Sequence, residues 1–135
     1  KDLDYIESRV EYLWVAIGGG IGSALRYFTV TSTARILGTN YTHYGTLAVN
    51  CIGSFLAVFF MILYVEKLSL DPAVRLFFVV GFLGGFTTFS AYSYETIAML
   101  HSRLYFSAIM NILSSNLLSL FFGFLGLFAA KWLIR

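Results

Sequence analysis

The stretch Gly81–Thr96 reads GFLGGFTTFSAYSYET. It lies inside an apolar run that begins at Pro72 and extends to about Leu100. A run of that length crosses a hydrocarbon core of roughly 30 Å as a helix. Its middle is nevertheless poor helix material. Gly84-Gly85 carries a large backbone entropy cost, and the β-branched Thr87-Thr88 competes for backbone groups through its hydroxyls. The pattern predicts a helix broken near mid-membrane. Lipid offers no partner to freed backbone groups, so such a break is tolerated only under protein or beside a cavity. Broken helices present carbonyls and helix ends that bind ions. Close helix packing through small residues is the competing explanation of the same glycines.

Three further apolar runs flank this one: Tyr12–Phe28 (YLWVAIGGGIGSALRYF), Tyr44–Val65 (YGTLAVNCIGSFLAVFFMILYV) and Leu104–Ile134. The chain therefore reads as an all-α integral membrane protein, a single domain of four transmembrane helices over residues 1–135. TSTARILGTNYTH joins spans one and two, EKLSLD joins two and three, and HSR joins three and four. Asp71-Pro72 is a helix start, with Asp as N-cap and Pro at the first helical position. Gly18 and Gly22, four apart in span one, predict a close approach by another helix.

Composition agrees. Of 135 residues, 59% are hydrophobic and 12% charged, whereas a soluble domain carries about 25% charged residues. A net charge of +2 without a basic stripe argues against nucleic acid as a partner. The single cysteine, Cys51, has no intrachain disulfide partner. The chain starts at Lys1 rather than Met, which points to an incomplete N-terminus, and residues 1–11 lack a cleavable signal pattern. Lys1, Arg9, Lys67, Arg75, Lys131 and Arg135 fall on one side of the membrane and Arg26, Arg35 and Arg103 on the other, six against three. That modest bias favours the first side as cytoplasmic.

Polar residues inside the spans are costly and so informative. Thr46, Asn50 and Ser54 recur every four residues in span two, as do Asn111, Ser115 and Ser119 in span four. That spacing sets each group on one helix face. Such stripes either tie helices together by hydrogen bonds or line a wet path, and two in one small bundle favour the path. Phe89 and Tyr92 share a face, with Phe86 one turn before, and aromatic edges carry weak positive charge suited to a small anion. Arg26, at the end of span one, and Glu95, in span three, are intramembrane charges and functional candidates. Snorkelling explains Arg26 equally well, and Glu95 is near enough to the span's end to be interfacial. No metal-ligand cluster, nucleophile–base pair or phosphate loop is present in the sequence, so enzyme activity is not expected.

Taken together, GGGIGSALRY, GTLAVNCIGSF, GFLGGFTTFSAYSYET and the fourth-span stripe resemble the Fluc (CrcB) fluoride-channel family over about residues 13–134. The resemblance implies a dual-topology homodimer in the cell membrane, its two copies antiparallel, with two pores along their interface. It implies passive export of fluoride from the cytoplasm. It also implies a structural Na+ ion at the dimer centre, held by the backbone carbonyls of Gly84 and Thr87. By position, the fluoride-contacting rings fall on Phe89 and Tyr92, the pore asparagine on Asn50, the vestibule arginine on Arg26, the fourth-span serines on Ser115 and Ser119, and the buried glutamate on Glu95. Thr46 and Ser90, in the same motifs, are counted with the pore. The chain departs from the family pattern TTF-S-T-F at Ala91 and Tyr92, and at Asn111, where many relatives carry tyrosine. The alternative is a small multidrug-resistance-type exporter, also of four spans. Such exporters carry a buried glutamate in span one, and span one here has no acid after Glu11.

Overall fold

The structure, a computed structural model, describes residues 2–66 and 71–135, with side chains from Val10 onward. Lys1, Lys67 and the side chain of Arg9, counted in the charge balance above, lie outside the described residues, as does most of EKLSLD. Helix α1 spans Asp2–Leu37, and a short turn of 3-10 geometry, Thr39–Tyr41, leads into α2, Thr42–Glu66. The third segment is composite: α3, Pro72–Arg75; a wider π-type winding, Leu76–Leu83; α4, Gly84–Phe86; and α5, Phe89–His101. Helix α6, Tyr105–Ile134, closes the bundle. Among the described residues four segments are long and apolar enough to cross a membrane, Val10–Leu37, Thr39–Glu66, Pro72–His101 and Tyr105–Ile134. The chain is a multi-pass membrane protein.

The segment ends have local causes. The Asp71 carboxylate accepts the Ala73 N–H at 2.9 Å, and Pro72 fills a position whose N–H would be unpaired. Residues 31–37 were expected in the first connection, but α1 continues through them. The threonines there are not loop-forming. Thr29, Thr31 and Thr33 each return their hydroxyl to the carbonyl four residues back, at 2.9, 2.7 and 2.9 Å, so each hydroxyl is satisfied within the helix rather than by a turn. Gly38 ends the helix, at φ 105, where a side chain would be strained.

Two helix pairs dominate. Helix α2 packs along α6, and α1 packs along Leu76–Phe86. Glycine permits both. A Cβ on Gly18 or Gly22 would collide with the carbonyls of Phe77 and Phe82, and one on Gly126 with the Phe55 carbonyl. The expected close approach at Gly18 and Gly22 is thus made by the third segment. An aromatic contact links α2 to that segment, Phe60 to Phe78 at 4.5 Å, and Phe78 in turn stacks on Phe82 at 5.3 Å within the segment. The inner core is small, with Val49, Leu83, Phe86 and Ala108 among its buried apolar residues. Large apolar side chains cover the outside, as in Phe106, Phe124 and Trp132, the inverse of a soluble surface.

The third segment is not one helix. Thr87 (φ −80, ψ 158) and Thr88 (φ −153, ψ 120) are extended between α4 and α5. This change of direction also shifts the helical phase. Phe86 is buried and stacks on Phe82 at 6.0 Å, whereas Phe89 pairs with Tyr92 at 5.3 Å.

Candidate functional site

The two extended threonines free backbone groups, and polar side chains from two other helices take them up. Asn50, on α2, donates its amide to the Thr88 carbonyl at 3.0 Å and accepts the Thr88 N–H at 2.8 Å. Arg26, on α1, donates to the Thr87 carbonyl at 3.1 Å. Ser23 donates to the Gly85 carbonyl at 3.4 Å. The Thr88 hydroxyl caps α5, accepting the Ala91 N–H at 3.2 Å, and lies 3.1 Å from the Ser90 hydroxyl. Gly53 is a requirement of the same packing, since a Cβ there would strike the Thr87 methyl.

Beside this break opens a cleft of about 540 Å³ between α2, the third segment and α6. Asn50, Gly84, Thr87, Phe89, Tyr92, Ser115 and Ser119 all line it. Ser54, from the span-two stripe, lines it as well. The donors are neutral: one N–H of Asn50 remains after the bond to Thr88, and the serines carry hydroxyls. Ser115 reaches Asn111 only at 3.5 Å, too long to hold its hydroxyl in place. Phe89 is 75% exposed and Gly84 has open space around it.

Four candidates lie off the cleft's lining: Arg26, Ser90, Thr46 and Glu95. Arg26, half-buried, meets the break through its bond to the Thr87 carbonyl. Thr46 and Glu95, noted separately in the sequence, form a pair: the Thr46 hydroxyl donates to Glu95 Oε1 at 2.7 Å, and Glu95 Oε2 is buried without a partner. Asn111 leaves the fourth-span stripe to donate to the Thr96 hydroxyl at 2.9 Å, tying α6 to α5. Asn116 was missed. It lines the cleft and donates to the Tyr92 hydroxyl at 3.3 Å. It falls outside the four-residue stripe. Its cue was simply an amide inside an apolar span.

Among the described residues no group of three or more His, Cys, Asp or Glu side chains could hold a metal. Backbone oxygens are a different matter. In an unbroken helix the Gly84 carbonyl would accept the Thr88 N–H, which here goes to Asn50. The Gly84 carbonyl is thus left without that donor, on an exposed residue. The Thr87 carbonyl already accepts from Arg26 and keeps a second lone pair. Hard, neutral oxygens of this kind suit an alkali or alkaline-earth cation, and so fit Na+.

A cleft that gathers the neutral donors Asn50, Ser115, Asn116 and Ser119 among four segments able to cross a membrane suits the class of membrane proteins that pass small ions. Residues 13–127 match the family described as CrcB-like protein, Camphor Resistance (CrcB). A Sulfurihydrogenibium protein named fluoride-specific ion channel FluC is 47% identical over 91% of this chain and 98% of its own length. The Legionella pneumophila (strain Paris) protein of that name is 43% identical over 91% of both chains. The Aquifex aeolicus protein is 41% identical over 83% of this chain and 90% of its own. The chain belongs to the CrcB family.

Proposed function

We propose that the chain is a fluoride channel of the plasma membrane, conducting passively as an antiparallel, dual-topology homodimer with two pores. The observation that carries this reading is the single cleft gathering Asn50, Phe89, Tyr92, Ser115 and Ser119 beside the Thr87–Thr88 interruption. The names of the relatives support the choice of ion.

Fluoride is small and strongly hydrated, so a pore must replace its water with donors. The Asn50 amide, the Ser115 and Ser119 hydroxyls and the ring edges of Phe89 and Tyr92 offer them without a net charge. Neutral sites bind the ion weakly enough to release it, which conduction requires. Conduction makes and breaks no covalent bond, so the protein is no enzyme. Hydrogen fluoride enters cells by crossing the bilayer and dissociates inside, and the trapped anion leaves down its gradient.

The whole chain, residues 1–135, acts as one channel domain, and its third span is broken at mid-membrane. Arg26 and Asn50 hold the break open. Ser90 steadies the Thr88 cap, and Thr46 with Glu95 forms a polar pair further along the same helices. The 75% exposure of Phe89 and the open surface at Gly84 ask for cover, which an inverted second copy supplies. In that dimer the Gly84 and Thr87 carbonyls of both copies hold a structural Na+ ion. When bound, the ion offsets carbonyl dipoles that helix hydrogen bonds no longer satisfy.

Planar-bilayer recording of the purified chain tests the reading. We expect a fluoride current reversing at the fluoride equilibrium potential, with no current carried by chloride. A chloride current, or none in fluoride, contradicts it.

A further inference from the structure

We infer that the Tyr92 hydroxyl, oriented by Asn116, is an additional anion donor in the cleft. This rests on the fluoride reading above and assigns a role to two groups in the same site. The Asn116 amide nitrogen makes two contacts, 2.7 Å to the Ile112 carbonyl and 3.3 Å to the Tyr92 hydroxyl oxygen. A carbonyl can only accept, so the first contact fixes which end of the amide is nitrogen. The same nitrogen faces Tyr92, and the phenol oxygen therefore accepts. Its own proton is not used in that bond. Among the described residues the Tyr92 hydroxyl has no other hydrogen-bond partner. Both residues line the cleft with Asn50, Ser115 and Ser119, so the free O–H belongs to the surface an anion would meet.

The chemistry favours a small, hard anion. A phenol is a stronger donor than a serine hydroxyl, and accepting a bond from Asn116 polarises its O–H further. A ring edge at this position offers only weak C–H donors. The tyrosine ring can keep the edge contact beside Phe89 while its hydroxyl adds a second, directed one. Asn116 is a positioning residue: it holds the phenol oxygen so that the proton is left over.

The test is a titration of fluoride efflux from liposomes carrying the parent, Tyr92→Phe, Asn116→Leu or both changes. Tyr92→Phe keeps the ring and should still conduct at saturating fluoride. Its half-saturating concentration should rise roughly tenfold, the loss of one hydrogen bond to an ion. Asn116→Leu should raise it by a smaller factor, and the double variant should match Tyr92→Phe, because Asn116 acts through the phenol. An unchanged half-saturation in Tyr92→Phe, or additive effects in the double variant, overturns the inference. Absence of fluoride efflux from the parent itself would instead overturn the channel reading.

Discussion

Replacing Asn50 by Leu removes both bonds that hold Thr88, at 3.0 Å to its carbonyl and 2.8 Å from its N–H. Thr88 is only 8% exposed, so water does not take their place. Each buried backbone group left unpaired costs about 1–3 kcal/mol, and the two together cost roughly 2–6 kcal/mol. The backbone has one escape: Thr88 N–H can return to the Gly84 carbonyl and close the helix. That relieves one group and abolishes the break. In both cases the cleft loses the geometry that sets Phe89 and Tyr92 on its wall. Asn50→Asp is a sharper probe. It keeps an acceptor for the Thr88 N–H but sets a second carboxylate oxygen against the Thr88 carbonyl, and it adds negative charge to an anion path. We expect both variants to lose fluoride efflux from liposomes and to unfold at lower temperature in detergent, followed by circular dichroism. An Asn50→Leu protein with the parent's efflux and unfolding temperature would refute the reasoning.

Phe89→Ile keeps bulk but removes the ring edge, and should abolish efflux while the protein still elutes as the parent does on size exclusion. Gly22→Val drives a Cβ into the Phe82 carbonyl and should cost about 1–3 kcal/mol or prevent folding. Gly20→Val, which meets nothing within 4 Å, is the control and should leave unfolding unchanged apart from helix propensity. Gly84→Val should lower flux and its dependence on Na+ more than Thr87→Val, because a valine side chain on Gly84 stands in the open space that the inverted copy fills in the proposed dimer, whereas Thr87→Val leaves its carbonyl in place. Flux measured with Na+ removed from both faces checks this, and equal effects of the two variants would count against the Na+ site.

The four spans were legible because long apolar runs have few other readings in so sparsely charged a chain. The two extended residues, Thr87 and Thr88, lie in the stretch that Gly84-Gly85 and Thr87-Thr88 mark as weak helix material. What the break did was not visible. Assuming a continuous helical phase put Phe86 with Phe89, but two extended residues rotate α5 relative to α4 and leave Phe86 in the core. Residues 31–37 looked like a connection by composition. Their hydroxyls bond to the preceding turn, a local effect that residue type alone does not reveal. Of the six stripe residues, four share one surface. Asn50, Ser54, Ser115 and Ser119 do meet at one cleft, whereas Thr46 and Asn111 turn to partners on α5, Glu95 and Thr96. Those pairings are tertiary, and no spacing within one helix encodes them. The role of Arg26 as a brace on the Thr87 carbonyl is of the same kind, joining residues sixty-one positions apart.

On the reading proposed above, an antiparallel pair of these chains carries fluoride with no other protein, through the clefts that gather Asn50, Phe89 and Tyr92. Purified protein reconstituted in liposomes loaded with equal fluoride and chloride tests it directly, with valinomycin supplying the counter-ion path and ion-selective electrodes reading both anions outside. Rapid fluoride release is expected, with no chloride release above that of protein-free liposomes and no need for ATP or a proton gradient. Fluoride release no faster than from protein-free liposomes, or chloride release alongside fluoride, would contradict a fluoride-selective channel.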